Sequence, residues 1–434
     1  MRRIVLALLV LAWCAPAAHA QDTAPVALTP DEAIARAMAH SQRLAEAEAR
    51  EAGAEAAVES RRAAERPALG LTAGYTRTNH VDEFGVPQPD GTLRVIYPDI
   101  PDNYFTRATL QWPIYTAGRT DALIRATEAE ARAAGADLRV ARADLRLEVL
   151  RAYWALVTAT ESVRVFEEAL TRADTHLSDV RSRFDIGLIP PNEVSSVEAQ
   201  RARQQMQLIE ARNLRSSVLE GLRRLTGITT DISVQMFSGT RAQAPVQVGD
   251  AAPLRPEQEA LRARVTAAEE RVEAVQAGRR PTVSFTAAAD YANPNPRIFP
   301  RTDVWRTSWE IGVVAAWTLW DGGRLAAESA EAAAAARALR ARQADVDALL
   351  TTEVRQRRLD LDSARAALDA ADVAVQSATE ARRVVSERFT VGVATSTDVL
   401  DAQVVLLQAE LDRTRALANI RLAEARLDRA MGLP

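Results

Sequence analysis

The sequence predicts a mostly α-helical protein with a smaller transmembrane β contribution, built as a tandem repeat of long coiled-coil α-hairpins with two β-strands per repeat. Three features predict this fold class: the composition, an internal repeat, and short alternating segments between the helices. The 434 residues are 47% hydrophobic but only 5% aromatic, with 54 basic and 58 acidic side chains. Every basic residue is arginine. Abundant Ala, Arg, Glu and Leu with few aromatics is typical of long helices and coiled coils.

Several classes of activity are disfavoured by the same composition. Without lysine there is no Walker-type phosphate loop, and a formal net charge of −4 with mixed signs argues against nucleic-acid binding. The four histidines lack metal-ligand spacing, and the motifs G-x-S-x-G, H-E-x-x-H and C-x-x-C are absent. We therefore expect no enzyme activity, no cofactor and no metal site.

Residues 1–20 are predicted to form a cleaved export signal. Arg2-Arg3 precede the apolar run Ile4–Trp13, and Ala18-His19-Ala20 supplies the small residues that signal peptidase requires. The single cysteine, Cys14, follows Trp13 rather than a small residue, which favours cleavage over lipidation. No later segment has roughly 18 consecutive apolar residues, so any membrane crossing would use strands.

The remainder of the chain consists of two related halves. Trp112–Arg119 matches Trp317–Arg324, and Arg183–Gly187 matches Arg388–Gly392, both at an offset of 205 residues. We divide the chain into a first repeat (21–228), an inter-repeat linker (229–253) and a second repeat (254–434).

Each repeat is predicted to contain a helix, two strands, a long helix and a return helix. The first helix begins after Thr29, a candidate N-cap, with Pro30 at its first position. The later elements of the first repeat are predicted at about 68–79, 104–115, 119–185 and 191–226. Those of the second repeat are predicted at about 282–292, 307–319, 322–389 and 396–431.

The long helices carry heptad patterns that predict helix-on-helix packing with supercoiling. In 119–185 apolar residues recur every seven positions: Val149, Leu156, Val163, Leu170, Leu177 and Phe184. Arg357 and Arg382 interrupt the corresponding pattern of the second repeat. Gly187 and Gly392 end the two patterns, so each long helix is expected to form an αα-hairpin with its return helix. Such extended hairpins are expected to associate with further copies of the chain.

The four strand segments alternate between apolar and polar residues, with aromatics near their ends. About ten residues of this alternation is typical of transmembrane β-barrels, although a half-buried soluble sheet has the same period. Gly118-Arg119 and Gly323-Arg324 are predicted as the turns from strand into long helix. Open sheet edges are not tolerated in lipid and the smallest such barrels have about eight strands, so several chains must share one barrel.

This order of elements, with Gly-Arg after the second strand and Phe-x-x-Gly at each hairpin, resembles the TolC family of outer-membrane channels. The resemblance covers nearly the whole mature chain. It implies a homotrimer whose twelve-stranded barrel continues into an α-helical barrel, embedded in outer-membrane lipid of a Gram-negative bacterium with a large periplasmic portion. It further implies a passive exit duct that works with a periplasmic adaptor protein and an inner-membrane pump and opens by an iris-like movement of the tip helices.

The resemblance also implies site residues. Asp398 and Asp401 match acidic positions that form rings at the periplasmic end of the pore, and Glu193 is the first-repeat equivalent of Asp398. Ala394 stands where some relatives have a basic residue, so the closed-gate salt-bridge network of those relatives would lack that residue here. The hairpin tips are expected to contact the adaptor, through the residues Phe184, Gly187, Phe389 and Gly392.

Physical arguments support the acidic ring but leave an alternative. Asp398 and Asp401 are three residues apart and share a helix face, so copies around a threefold axis would create a field attractive to cations. Acids near a helix N-terminus are also favoured by the helix dipole without any gating role. For the whole chain, the alternative function is a soluble periplasmic coiled-coil adaptor or scaffold, which would explain export and heptads but not the duplicated strand pair.

Overall fold

The computed structural model describes residues 26–234 and 254–433. The predicted signal 1–20, with Cys14, and most of the predicted linker 229–253 lie outside the described residues. Among the residues that are described, no helix has an apolar stretch long enough to cross a membrane.

The chain folds into two compact units, and each unit draws on both repeats. The hairpin unit holds the described parts of Met1–Ser41, Asp144–Gln247 and Arg357–Leu427. The sheet unit holds the described parts of Gln42–Ala143, Val248–Gln356 and Asp428–Pro434. Compact packing therefore does not follow the boundary between the repeats.

Seven α-helices are present in the described residues. They are α1 (Pro30–His40), α2 (Gln42–Ala63), α3 (Arg119–Asp185), α4 (Pro191–Thr226), α5 (Pro256–Gln276), α6 (Arg324–Thr390) and α7 (Ser396–Met431). The long and return helices lie at the predicted positions to within two residues. The predicted first helix is instead two helices, because Ser41 is extended at φ −70°, ψ 113°. Serine favours such breaks because its hydroxyl can bond to nearby backbone outside a helix.

In the hairpin unit, β1 (Val26–Leu28) pairs in parallel with β6 (Ile232–Val234), a strand within the predicted linker. Thr29 caps α1 in a reciprocal box: the Glu32 N–H donates to Thr29 Oγ1 at 3.3 Å, and the Thr29 N–H donates to Glu32 Oε2 at 2.9 Å. Pro30 occupies the first helical position, as the sequence predicts.

The heptad seams of the hairpin unit are buried between helices. Val149, Leu156 and Val180 of α3 are fully buried. On α7, Leu407 and Leu411 pack against Val165 and Ala169 of α3. Leu406 and Ala409 of α7 pack against Ala378 of α6. Burying a leucine side chain contributes about 1.5–3 kcal/mol, and the alanines allow the helix backbones to approach closely.

In the sheet unit, four antiparallel strands form one sheet in the order β2-β5-β7-β8. They are β2 (Ala68–Arg77), β5 (Asp102–Tyr115), β7 (Thr282–Asn293) and β8 (Arg306–Ala316). The two repeats meet at the β5–β7 pair, where Leu110 lies opposite Ala287. The last strand ends at Ala316, three residues earlier than predicted.

The loop between β2 and β5 contains a further hairpin that was not predicted. Its strands are β3 (Phe84–Pro87) and β4 (Leu93–Tyr97), which pair antiparallel. The turn uses Gly91 at φ +80°, and the Gly91 N–H donates to the Gln88 carbonyl at 3.0 Å. The prolines of this loop obscured the alternation, although Asp90-Gly91 is a common turn pair in β-hairpins.

One tryptophan in each repeat connects the end of the second strand to the segment that precedes the first strand. The indole N–H groups of Trp112 and Trp317 donate to the carbonyls of Glu65 and Arg279, both at 3.0 Å. Each carbonyl belongs to the residue before an Arg-Pro pair. The repeat is thus preserved in side-chain contacts as well as in element order.

Candidate functional site: hairpin tips and sheet face

The connection from α3 to α4, here called the first tip (residues 184–191), ends α3 with a Schellman motif. The Leu188 N–H donates to the Arg183 carbonyl at 2.9 Å, and the Gly187 N–H donates to the Phe184 carbonyl at 2.8 Å. Gly187 has φ +76°, a left-handed conformation that glycine adopts without a steric penalty.

The connection from α6 to α7, the second tip (residues 389–396), has the same backbone. The Val393 N–H donates to the Arg388 carbonyl at 2.9 Å, and the Gly392 N–H donates to the Phe389 carbonyl at 3.0 Å. Gly392 has φ +78°. A Cβ added at either tip glycine would meet no atom within 4 Å, so backbone conformation is the reason for glycine at both positions.

The two tip phenylalanines have different surroundings. Phe389 is 6% exposed and belongs to a cluster with Leu177, Val180, Val197 and Val399, whereas Phe184 is 41% exposed. Phe389 was expected to contact an adaptor. Its buried ring instead holds the second tip against α3, so the structure does not place it on the contact surface. Ala394, the position without a basic residue, packs against the same cluster.

Four aliphatic side chains flank the tip glycines and are largely exposed. Their exposed fractions are 71% for Ile186, 68% for Leu188, 74% for Val391 and 71% for Val393. In a Schellman motif the apolar residue after the glycine usually packs on the preceding turn. Here the residue on that turn is arginine in both tips, Arg183 and Arg388, so Leu188 and Val393 have no apolar partner there and stay open to solvent. We call these four residues the tip patch; the sequence signal for it is an aliphatic residue on each side of the helix-ending glycine.

The second tip is connected to α3 by polar contacts as well. Nε2 of His176 lies 2.9 Å from Oγ of Ser396. Arg183 donates from Nη2 to the Thr390 carbonyl at 3.0 Å, and its guanidinium carbon lies 4.4 Å from the centre of the Phe389 ring. The sequence analysis did not single out any of these contacts.

Among the predicted ring residues, Asp398 is used locally to start α7. Its carboxylate accepts hydrogen bonds from the backbone N–H and from the hydroxyl of Thr395, both at 2.8 Å. The backbone bond first, and the hydroxyl bond second, lower the pKa of Asp398 below its ordinary value of 3.8. Asp398 therefore stays ionised through neutral and mildly acidic pH.

The other two predicted ring residues have no such local role. Asp401 is exposed and Glu193 is half-buried, and within the described residues neither side chain has a hydrogen bond or an ion pair. No hydrogen bond links either of them to Asp398. Near the second tip, the carboxylate of Asp401 is therefore free of local contacts in the described part of the chain, whereas that of Asp398 is bonded to Thr395.

The strand-to-helix turns use left-handed backbone at the predicted glycines. Gly118 has φ +82° and Gly323 has φ +89°. Helix α3 begins at the predicted Arg119, and α6 begins at Arg324, two residues after its predicted start at 322. Asp321 caps α6, since its carboxylate accepts the N–H groups of Gly323 at 3.0 Å and Leu325 at 2.9 Å. This cap lies two residues before the glycine that the sequence analysis selected.

The sheet exposes one continuous apolar face. The register places apolar residues of all four strands opposite one another, and the large exposed ones include Leu69, Leu71, Trp309, Ile311 and Val313. At one end of this face lies a row of aromatic rings, with centroid distances of 4.9 Å (Tyr75–Tyr104), 6.0 Å (Tyr104–Trp305) and 4.8 Å (Trp305–Tyr291).

The opposite face of the sheet is polar. Arg107 of β5 lies 3.6 Å from the carboxylate of Asp290 on β7 and forms an ion pair with Glu310 on β8. Alternating strands with one apolar and one polar face, and aromatic residues near the ends, fit a wall between lipid and water. Within the described residues, no group of His, Cys, Asp or Glu could hold a metal ion.

The chain matches the family model described as "Outer membrane efflux protein" over residues 33–228 and 248–433. It therefore belongs to the outer membrane efflux protein family, and the resemblance to the TolC family predicted from the sequence is confirmed.

Two relatives show the degree of sequence similarity. Protein CyaE of Bordetella pertussis is 26% identical over 59% of this chain and 53% of its own length. Outer membrane protein TolC of Vibrio cholerae is 24% identical over 66% of this chain and 67% of its own length. The chain thus aligns with about half of the first relative and two thirds of the second.

Solved structures show the fold more completely. The outer membrane channel CmeC of Campylobacter jejuni has a TM-score of 0.79 at 17% identity, over 93% of this chain and 85% of CmeC. The outer membrane protein VceC of Vibrio cholerae has a TM-score of 0.78 at 22% identity, over 93% and 96% of the two chains. The predicted fold class, a mostly helical chain of repeated hairpins with a smaller β contribution, is confirmed.

Proposed function

We propose that this protein is the outer-membrane exit duct of a tripartite efflux or type I secretion system. The observation that carries the proposal is the four-stranded sheet, which has an exposed apolar face, an aromatic row at one end of that face and a polar reverse face. An exposed apolar surface of this extent marks a membrane or protein contact, and lipid is the environment that suits its alternation. Family membership favours this duct over the soluble adaptor.

The active form is proposed to be a homotrimer. Within the described residues β2 and β8 are the edges of the sheet, and unpaired edges are not tolerated in lipid. Three copies would close these edges into the twelve-stranded wall implied by the family. The hairpin unit also leaves an exposed stripe on α6, formed by Leu359, Val373 and Val384 at spacings that return to one helix face. A second copy would cover this stripe.

The tip patch is the proposed contact for a periplasmic adaptor, with an inner-membrane pump supplying the energy. The patch offers equivalent aliphatic groups from both repeats, so one chain presents two similar contacts for an apolar partner surface. Phe184 is exposed beside the patch and remains part of the proposed contact, and Gly187 and Gly392 shape it through their backbone.

The pore constriction is proposed to be an acidic ring at the start of α7 and α4. Asp401 supplies a carboxylate without local partners, Asp398 supplies one that also caps α7, and Glu193 adds a further acidic position on α4. Negative rings of this kind favour cations and are blocked by multivalent ones.

The membrane assignment is tested by placing a charge on each face of the sheet. Ile311→Arg puts a cation on the apolar face, which costs about 2–4 kcal/mol near the middle of a bilayer, whereas Thr286→Arg puts the same cation on the polar face. We expect Ile311→Arg to abolish heat-resistant trimer in the outer-membrane fraction and Thr286→Arg to retain it. Equal assembly of both variants, or a monodisperse monomer in buffer without detergent, would exclude the duct.

The ring is tested by comparing two isosteric substitutions in planar bilayers. Asp401→Asn and Asp398→Asn each remove one charge per chain, and asparagine at 398 can still cap α7. We expect both variants to weaken block by a trivalent cation severalfold, with unchanged amounts of folded trimer. Unaltered block in the double variant would remove the ring from the proposal.

A further inference from the structure

A buried histidine joins the first repeat to the second beside the tips. His176 is 5% exposed, and its Nε2 atom contacts the hydroxyl of Ser396, which is 1% exposed. The imidazole also packs edge-on against Phe389, with ring centres 5.2 Å apart. One α3 side chain therefore contacts the end of α6 and the start of α7 at once.

The surroundings of His176 disfavour the protonated form of its imidazole. On its own helix, the negative Asp179 and the positive Arg183 act on the imidazole in opposite directions. The neighbouring helices present uncharged groups to it, the ring of Phe389 on α6 and Ser396 on α7. The hydrogen bond with Ser396 acts to raise the pKa of His176, but less strongly than burial lowers it. Burial is the largest influence and lowers the pKa of His176 below its ordinary value of 6.5.

Arg183 adds a smaller cost, beyond burial, to a second positive charge beside the Phe389 ring. Its guanidinium already lies over Phe389 and is bonded to the Thr390 carbonyl. An imidazolium at His176 would add a cation against the same phenylalanine, and the carboxylate of Asp179 offsets only part of the cost of burial. Separation of the second tip from α3 would return the imidazole to water and relieve this cost.

We propose that the His176–Ser396 contact is a proton-sensitive latch, which holds the second tip against α3 at neutral pH and releases it in mild acid. The inference rests on the proposed duct, because release has a consequence only if tip helices move to open a pore. It assigns the regulation of that opening to one side-chain pair and to a defined pH range.

The direction of the pH response follows from the linkage between proton binding at His176 and release of the second tip. A histidine whose pKa is lowered by packing binds a proton more readily in the released state, so packing is unaffected well above pH 6.5 and weakens as the pH falls below that value. At about pH 5.5 the ratio of released to packed tips can rise by at most about tenfold per chain. Asp398 remains ionised in this range, because its pKa is lowered from 3.8, so it cannot produce the response.

The test is the open probability of the purified channel in planar bilayers at about pH 7.5 and about pH 5.5. We expect the unmodified channel to open severalfold more often in acid and His176→Gln, which keeps a polar side chain but cannot titrate, to lose this change. His80→Gln is the matched control, because His80 is exposed in a loop beside Asp99 and should leave the pH profile intact. A profile that is flat in the unmodified channel, or unchanged in His176→Gln, overturns the latch.

A second measurement does not depend on conduction or on that variant folding. NMR of the protein with labelled histidine should show His176 titrating below pH 6.5, and Ser396→Ala should shift that titration. A His176 pKa at or above 6.5, or no shift in Ser396→Ala, also overturns the latch. Absence of conductance in every channel at both pH values contradicts the duct instead, and the NMR titration then still decides the protonation behaviour of the pair.

Discussion

The first and second tips are equivalent in the repeat, and their backbones end α3 and α6 with the same pair of hydrogen bonds around a left-handed glycine. Their phenylalanines nevertheless differ in solvent exposure. Phe389 is buried under His176 and Arg183, whereas Phe184 remains largely open. A duplicated sequence thus preserves a turn, while packing differs: the second tip contributes its phenylalanine to the cluster on α3, and the first tip contributes Ile189 instead.

The return helices begin differently as well. At the second tip, Thr395 and Asp398 form a capping box for α7. At the first tip, α4 begins after Pro190, which has no side chain able to cap. The second tip therefore has a side-chain cap after its glycine, and the first tip has none.

The largest expected effect on stability comes from replacing the phenylalanine of each tip with alanine, one at a time. Phe389→Ala should lower the free energy of unfolding by about 3–5 kcal/mol because it leaves a cavity in a packed cluster and removes the partner of Arg183. Phe184→Ala should cost less than about 1 kcal/mol. Urea-induced loss of helical circular dichroism in detergent measures both, and equal losses would contradict the difference between the tips.

A smaller effect is expected from the cap that only the second tip has. Thr395→Ala should destabilise the start of α7 by about 1 kcal/mol, and Thr395→Ser, which keeps the hydroxyl, should not. The loss of one donor should also raise the pKa of Asp398 towards its ordinary value. Because a lowered aspartate pKa stabilises the fold above that value and loses its effect as the pH falls, the variant should be less sensitive to acid. An NMR titration of Asp398 in both variants checks this, and an unshifted pKa in Thr395→Ala would rule out the Thr395 hydroxyl as a cause of the lowered pKa.

The smallest effect on stability, but a large one on binding, is expected at the tip patch. Leu188→Asp and Val393→Asp should change the free energy of unfolding by no more than about 0.5 kcal/mol, because both side chains are exposed. Each should reduce co-purification of the adaptor, and the pair together should abolish it. The controls Leu188→Ile and Val393→Ile keep an apolar surface and should bind normally. Binding that survives the double aspartate variant would exclude the patch as the contact.

Local signals predicted the helices well. Glycine at 187 and 392, proline at 191 and the heptad spacing each act within a few residues, so the bounds of α3, α4 and α7 could be predicted from them. Signals that compete locally were harder to interpret. The break at Ser41 and the hairpin β3–β4 were missed because a single serine, and a loop containing prolines, each suit more than one backbone conformation.

In the candidate site, too, some features could be predicted from local sequence and others could not. The acidic positions and the tip glycines could be selected from the repeat, but Phe184 and Phe389 occupy equivalent positions of the motif Arg-Phe-x-x-Gly and no local rule separates them. The contact of His176 with Ser396 joins residues 220 positions apart, and it depends on how α3 and α7 pack.

Periodicity, turn residues and the duplicated motifs are properties of the chain alone, and they were sufficient for the order, type and length of the main elements and for the family. Other properties depend on neighbours that are distant in sequence. These are which of two equivalent side chains is buried, which carboxylate caps a helix and which histidine is buried. The physical reason is that burial and hydrogen bonding are properties of the packed environment, and the two copies of this repeat enter different environments.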